Sequence, residues 1–377
     1  MTPSTEDTQR QKAERQKPGH PGLGRTVLSD LKRGDLAHSY RQDLKGLYGF
    51  YLDEESRERL DRMSKVRKWF LVGFWLLKSM ILSLTPGRRL LLLLSIVLTW
   101  LSGTYTIGEY TVDMGFGKWG FLIILIVLML ELKDKLLARE ELETGRAIQL
   151  ALLPKDNPEL AGWEIWLFSR TANEVGGDLV DYIRLSEDRL GLALGDVSGK
   201  GLGAALLMSK LQATLRALVT DLTSLAELGV RTNEIFCRDG ISGRFATLLY
   251  LEIRPDSGHI RLLNAGHMPP MVLRSDDIEE IQPSGLPVGT VPEATYEEQS
   301  LDLEPGDLMI NYTDGLTEAC DARGRFFGEV GLSDLIPTLR GLSAENAGSS
   351  IVSAVGAFIG DERPSDDLAL IVLRRTR

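Results

Sequence analysis

The sequence predicts an α+β fold for the part of the chain that follows Pro158, preceded by helical segments. Two observations carry this prediction. After Pro158, short β-type runs and helical stretches occur in blocks rather than in strict alternation, which favours layered α+β architecture over a doubly wound sheet. Before it, three apolar runs of helical length alternate with charged segments. The predicted strands span residues 164–169, 190–194, 246–253, 260–264, 308–312 and 368–373, and the predicted helices span 204–220, 223–236 and 346–359.

Charge is distributed unevenly along the 377 residues. The net charge is -10, but residues 1–140 carry +6 and residues 141–377 carry -16. An acidic remainder argues against nucleic acid as its ligand and is compatible with a cation site, whereas a basic front suits a membrane surface. The two cysteines and four histidines show no metal-ligand spacing, which argues against a zinc site built on them. Any metal would be held by oxygen.

The N-terminal third is predicted to contain a membrane region. Residues 1–27 are rich in Pro, Gly and basic side chains and are expected to be a disordered tail, and residues 28–68 form a weakly amphipathic cytosolic helical segment. The membrane region is 69–132, with an interfacial helix at 69–84 and transmembrane helices at 90–107 and 116–132. The alternative, that these runs are core helices of a soluble domain, stays open.

Basic residues set the expected orientation of this hairpin. Arg88 and Arg89 precede its first span, and Lys133 and Lys135 follow its second, whereas the connection at 108–117 holds two acidic residues and no basic residue. The positive-inside rule then places both outer flanks, and the domain that follows, in the cytoplasm. The expected localisation is therefore the inner (cytoplasmic) membrane as a multi-pass protein, with membrane lipid as a partner.

A linker helix is predicted at 131–154, where Pro154 ends the helical pattern. It either pairs with a second copy as a coiled coil, giving a homodimer, or is a lone connector. The irregular heptad leaves both interpretations open.

Four turns that follow or precede predicted strands carry aspartate beside small residues. They are 175–181 (VGGDLVD), 194–201 (LGDVSGKG), 312–315 (YTDG) and 364–368 (PSDDL). A single Asp-Gly turn is commonly only turn chemistry. Four of them next to β-type runs are expected to gather carboxylates at one edge of a sheet.

A carboxylate cluster requires cations, because like charges cannot pack together uncompensated. Oxygen ligands point to Mn²⁺ or Mg²⁺. Two such ions would share an aspartate and activate a bridging water against a phosphorus atom. The sequence shows no Ser-His-Asp or Cys-His pattern that would compete with this mechanism.

The same motifs, in order, resemble the SpoIIE/RsbU-type branch of the PPM (protein phosphatase 2C-like) serine/threonine phosphatases. The resemblance covers about residues 142–374 and rests on VGGDLVDY, GDVSGKGLGAALLM, FATLLY, NAGHMPP, LPVG, EPGDLMINYTDGLTEA and SDDLALIVL, together with IQLALLP at the end of the linker helix. Each motif is weak alone, and the ordered set is specific.

This resemblance implies a β-sandwich flanked by helices at 155–377, two Mn²⁺ or Mg²⁺ ions, and hydrolysis of phosphoserine or phosphothreonine on a protein. The implied substrate is a phosphorylated STAS-type anti-sigma-factor antagonist, with no nucleic acid partner. By position, Asp196, Asp314 and Asp366 are the implied metal carboxylates and Val197 supplies a backbone carbonyl. Asp178 binds the second metal or orients its water, so Asp178 and Asp196 are the implied catalytic residues, with Asp181 and Asp367 in the outer shell.

Some points differ from the family pattern or stay open. Leu179 and Val180 replace an aromatic pair, and the sequence offers no clear phosphate-binding arginine. His267 either protonates the leaving group or caps a turn, and Lys200 either holds phosphate or is a solvated turn residue. Two other functions are compatible with the fold: a non-catalytic partner-binding scaffold and a small-molecule phosphoesterase.

Overall fold

The computed structural model describes residue 74 and residues 77–107, 110–240, 243–255, 257–275 and 277–377. The tail predicted at 1–27 and the helical segment predicted at 28–68 lie outside these residues. The chain divides into two compact units, Met1–Asp134 and Lys135–Arg377.

The first unit contains helices and one β-hairpin. Residues 77–83 are helical, helix α1 is Pro86–Trp100, and strands β1 (Gly103–Ile107) and β2 (Tyr110–Met114) pair antiparallel. Helix α2, Gly117–Leu152, begins in this unit and ends in the second. The helix expected at 90–107 ends at Trp100, because Gly103 is unfavourable inside a helix and the β-branched residues that follow it favour a strand. The helices expected at 116–132 and 131–154 form one continuous helix, α2. Coiled-coil pairing of α2 stays a prediction.

An ion-pair cluster joins the two helices of the first unit. Arg88, at the start of α1, lies 2.7 Å from a carboxylate oxygen of Glu131 and 2.7 Å from one of Asp134 on α2. Large apolar side chains elsewhere on both helices are exposed, among them Leu90 (68%), Trp100 (82%) and Phe121 (67%). Among the described helices, none combines the length and the apolar character needed to cross a membrane.

Ten strands of the second unit form two antiparallel five-stranded sheets, ordered β10-β7-β6-β5-β4 and β3-β12-β11-β8-β9. The strands are β3 (Trp163–Arg170), β4 (Leu179–Ser186), β5 (Arg189–Val197), β6 (Ala246–Ile253), β7 (His259–Ala265), β8 (Met271–Leu273), β9 (Ile278–Glu280), β10 (Gln299–Asp302), β11 (Leu308–Tyr312) and β12 (Leu368–Arg375). The helices are α3 (Leu202–Leu218), α4 (Leu225–Asp239), α5 (Phe327–Val330), α6 (Leu332–Leu335), a 3₁₀ turn (Ile336–Leu339) and α7 (Ala344–Ile359).

The sheets stack face to face with helices on their outer faces. On β12, Ala369, Ile371 and Leu373 join the core between the sheets. The alternate residues Leu368, Leu370 and Val372 join the core that includes α7 residues. The other sheet packs its outer face against α3 and α4. Because both faces of a central strand are buried, its sequence is a continuous apolar run. The predicted α+β sandwich flanked by helices is thus confirmed.

Strand β4 and the short strands β8, β9 and β10 were not predicted. The charged and polar residues of β4 disguise it, since Asp181 is buried there in an ion pair with Arg216. Strands β8 and β9 have three residues each and β10 has four, which is too short to show periodicity.

Candidate active site

The four aspartate turns meet at one edge of the sandwich. Asp178 directly precedes β4, and Asp196 lies at the end of β5, its antiparallel neighbour. Asp314 follows β11, and Asp366 and Asp367 directly precede β12, which pairs with β11 in the other sheet. The gathering of carboxylates expected from the sequence therefore draws on both sheets.

Asp178 is buried at the centre of this group. Thr313 Oγ1 donates a hydrogen bond to Asp178 Oδ2 at 2.7 Å, and the same hydroxyl accepts one from the Ala369 N–H at 3.0 Å. Burial raises the pKa of Asp178 well above its usual value, and the charge of Asp196 raises it further. The Thr313 hydroxyl thus connects the turn that carries Asp178 to strand β12 of the other sheet.

Neighbouring carboxylates also shift the pKa values of Asp196 and Asp314. Burial, followed by the charge of Asp366, raises the pKa of Asp196 to about 6. Burial, followed by the charge of Asp196, raises the pKa of Asp314 to about 7. The four carboxylates named from the sequence therefore lie within each other's electrostatic field.

Asp367 holds the loop that carries Asp178. Its Oδ1 accepts a hydrogen bond from the Ala172 N–H and its Oδ2 accepts one from the Gly177 N–H, both at 2.7 Å. A Cβ placed on Gly177 would lie 3.0 Å from the Val197 carbonyl oxygen and 3.5 Å from Asp196 Oδ1. Glycine therefore lets this loop approach the carbonyl that the sequence assigns as a ligand.

The chemistry of this group fits a divalent-cation site. Its donors are carboxylates and one backbone carbonyl, the oxygen ligands that Mn²⁺ and Mg²⁺ prefer, and their mutual repulsion is what a cation would relieve. Across the described residues, no group of three or more His, Cys, Asp or Glu side chains is arranged to hold an ion as it stands. The assignment of a cation site therefore rests on the oxygen donors and on the repulsion between their charges, not on a preformed ligand geometry.

Asp181 and His267 bind residues outside the carboxylate group, whereas Lys200 pairs with one of its members. Asp181 accepts two hydrogen bonds from the Arg216 guanidinium, at 2.7 and 2.6 Å. Lys200 forms an ion pair with Asp366. The His267 N–H donates to Asn264 Oδ1 at 2.8 Å, within a turn. Burial lowers the pKa of His267 to about 4, so near neutral pH it holds no extra proton to donate to a leaving group.

Gln149, which the sequence did not single out, fastens helix α2 to the same loop. Its Nε2 donates to the Gly176 carbonyl at 2.7 Å, and its Oε1 accepts from the Gly176 N–H at 3.0 Å. Gln212 Nε2 on α3 donates to the Leu152 carbonyl at 2.9 Å. The sequence signal for this role is a polar residue inside the otherwise apolar run IQLALL, because a glutamine buried there needs hydrogen-bond partners.

Comparison with known families assigns the chain to one of them. The family model for stage II sporulation protein E (SpoIIE) matches residues 186–376, slightly more than half of the chain. The chain belongs to the SpoIIE family. This family consists of PP2C-like, metal-dependent protein phosphatases, so the resemblance stated from the motifs is confirmed.

Individual relatives agree with this assignment. The chain is 32% identical to Protein IcfG of Synechocystis in an alignment of 234 positions that covers 55% of this chain and 37% of that protein. It is 26% identical to the phosphoserine phosphatase RsbU of Bacillus subtilis over 239 residues, covering 63% of this chain and 70% of RsbU. The chain thus spans only 37% of the length of IcfG.

A solved structure shows the same fold. The PP2C domain of SiaA from Pseudomonas aeruginosa superposes with a TM-score of 0.56 at 17% identity, over 64% of this chain and 98% of that domain. At this identity the likeness shows the fold alone. It confirms that a PP2C-like sandwich follows the N-terminal helices.

Proposed function

We propose that this chain is a metal-dependent phosphatase that hydrolyses phosphoserine or phosphothreonine on a regulatory protein. The proposed substrate is a phosphorylated STAS-type domain. The observation that carries the proposal is the convergence of aspartates from four separate turns at one sandwich edge, with raised pKa values for Asp178, Asp196 and Asp314. Groups with such shifts, placed at converging strand ends, are typical of functional sites.

Each residue has a role in this proposal. Asp196, Asp314, Asp366 and the Val197 carbonyl would hold two Mn²⁺ or Mg²⁺ ions, and Asp178 would bind the second ion or orient its water. When bound, the ions supply positive charge that stabilises the phosphoryl group and activates a water for attack. Thr313 fixes the Asp178 carboxylate, and Asp367 holds the backbone of its loop. These residues keep the ligands in place before substrate arrives.

Exposed apolar side chains near this edge favour a protein substrate. Leu202 and Leu206, on the first turns of α3, and Phe245, beside the turn after β5, are exposed. Apolar surface beside a charged site suits a protein face better than a nucleotide or a sugar phosphate. The relative RsbU is itself described as a phosphoserine phosphatase, which supports the same substrate chemistry.

We expect the full chain to release phosphate from a phosphoserine-bearing STAS-type protein faster than from nucleotides or sugar phosphates. The measurement is steady-state phosphate release with Mn²⁺ at matched substrate concentrations. Faster turnover of nucleotides would favour the small-molecule phosphoesterase, and no turnover of any substrate would favour the non-catalytic scaffold.

We also propose that the first unit anchors the protein in the inner membrane, with the catalytic unit on the cytoplasmic side. The exposed apolar side chains of α1 and α2 support this, because large apolar patches are unfavourable in water. The basic residues that flank these helices support the cytoplasmic side, because the anionic lipids of the inner leaflet attract them. The full-length chain is then expected to remain in the membrane pellet after an alkaline carbonate wash. Recovery in the supernatant without detergent would contradict the anchor.

A further inference from the structure

Lys200 reaches across the proposed active site to one of its carboxylates. Its Nζ lies 2.8 Å from Asp366 Oδ2 and donates to the Ser365 carbonyl at 3.0 Å. In the described part of the chain, Lys200 is the one basic side chain in an ion pair with any of the clustered aspartates at 178, 196, 314, 366 and 367. The Lys200 ammonium group thus contacts an oxygen of Asp366, the carboxylate that the proposed function assigns to metal binding.

The backbone around Lys200 is fixed by hydrogen bonds, whereas its side chain is largely exposed to solvent. Gly199 adopts a φ of 104°, and Arg244 Nη1 donates to the Ser198 carbonyl at 2.6 Å, which secures the turn. The Lys200 side chain is 59% exposed and its partner Asp366 is 33% exposed. The ammonium can therefore swing into water on its flexible four-carbon stem without unfolding the loop.

Asp366 Oδ1 already accepts a hydrogen bond from the Asp367 N–H at 3.0 Å, which leaves Oδ2, the oxygen that contacts Lys200, as the more open position for a divalent ion. Metal–oxygen bonds to these ions are about 2.0–2.2 Å long, and an ammonium 2.8 Å from that oxygen would be held against a doubly charged cation of the same sign. A metal ion at Oδ2 and the Lys200 ammonium therefore repel each other, so that binding of either cation weakens binding of the other.

We propose that Lys200 is an internal counterion that competes with the divalent metal for Asp366 and so weakens metal binding. This rests on the proposed function, because it requires Asp366 to be a metal ligand. The ammonium neutralises part of the carboxylate charge while no ion is bound, and it is released to solvent when the metal enters. Since exposed ion pairs are weak, the competition is expected to lower metal affinity about fivefold rather than by orders of magnitude.

Calorimetric titration of the full chain with Mn²⁺ tests the proposal. Lys200→Met is expected to bind Mn²⁺ about fivefold more tightly than the wild type. The matched control is Lys155→Met, which removes the same charge from an exposed position after α2 and is expected to stay within about twofold of the wild type. Unchanged or weaker binding by Lys200→Met would overturn the proposal, as would equal tightening by both variants.

A second measurement uses the wild-type chain alone. Acetylation of each lysine, followed by mass spectrometry, is expected to show Lys200 several-fold more reactive when Mg²⁺ is bound, with Lys155 unchanged. Equal Lys200 reactivity with and without Mg²⁺ would overturn the competition while leaving the phosphatase proposal standing. A wild-type chain that binds neither ion would overturn both.

Discussion

Asp196→Asn is expected to reduce Mn²⁺-dependent phosphatase activity more than about a hundredfold. Loss of a group that only supports a metal ligand commonly costs about 10- to 100-fold, so loss of a ligand shared by two ions is expected to cost more. The asparagine keeps the shape of the side chain, and the substitution removes one negative charge from a repelling cluster. The variant is therefore expected to fold, and phosphate release measures the loss.

The matched control for this variant is Asp188→Asn. Asp188 lies in the turn before β5, at the opposite end of the strand from Asp196, and its carboxylate is exposed and accepts a hydrogen bond from Ser186. Its activity is expected to stay within about twofold of the wild type. Retention of full activity by Asp196→Asn, or equal loss in both variants, would remove the assigned role of Asp196.

The metal-free chain is expected to lose stability as the pH rises from 5 to 8, and Mn²⁺ is expected to restore it at pH 8. The folded-state pKa values of Asp196 and Asp314, about 6 and about 7, lie above the ordinary value of 3.8. The folded chain therefore binds more protons than the unfolded chain between these values, and its stabilisation is lost as the pH passes through the folded-state pKa values. The expected fall in the melting temperature is about 5 °C.

Thermal unfolding followed by circular dichroism, in EDTA and in Mn²⁺ at both pH values, checks this expectation. Asp314→Asn is the informative variant, because it removes the group with the higher of the two stated pKa values and should flatten the pH dependence in EDTA. It should also weaken the response to Mn²⁺ at pH 8. A wild-type melting temperature that rises with pH in EDTA would contradict the repulsive cluster.

Much of the sandwich was predictable because its central strands are buried on both faces. The continuous apolar run at 368–373, and the run at 308–312 that only Asn311 interrupts, are recognisable in the sequence as buried strands. The end of helix α1 at Trp100 was not predictable from hydropathy, since the first strand that follows, β1, continues an uncharged run. Strand β4 was hidden because its Asp181 is compensated by Arg216, a residue 35 positions away that periodicity cannot associate with it.

The candidate site was predictable to the level of its carboxylates. Strand-end position and neighbouring glycine or other small residues distinguish Asp178, Asp196, Asp314 and Asp366 from surface aspartates. Their supporting contacts were not predictable, because they join distant segments: Gln149 binds Gly176, 27 residues away, and Thr313 binds Asp178, 135 residues away. Local motifs carry no information on such pairings, whereas the folded chain displays them directly.

The most direct test of the central claim is phosphate release from a phosphoserine-bearing STAS-type protein by the purified full chain, measured in Mn²⁺ and again after removal of the metal with EDTA. The account predicts turnover in Mn²⁺, at least about a hundredfold less in EDTA, and recovery when Mn²⁺ is returned. Equal turnover with and without metal, or no turnover of the phosphoprotein in Mn²⁺, would contradict it.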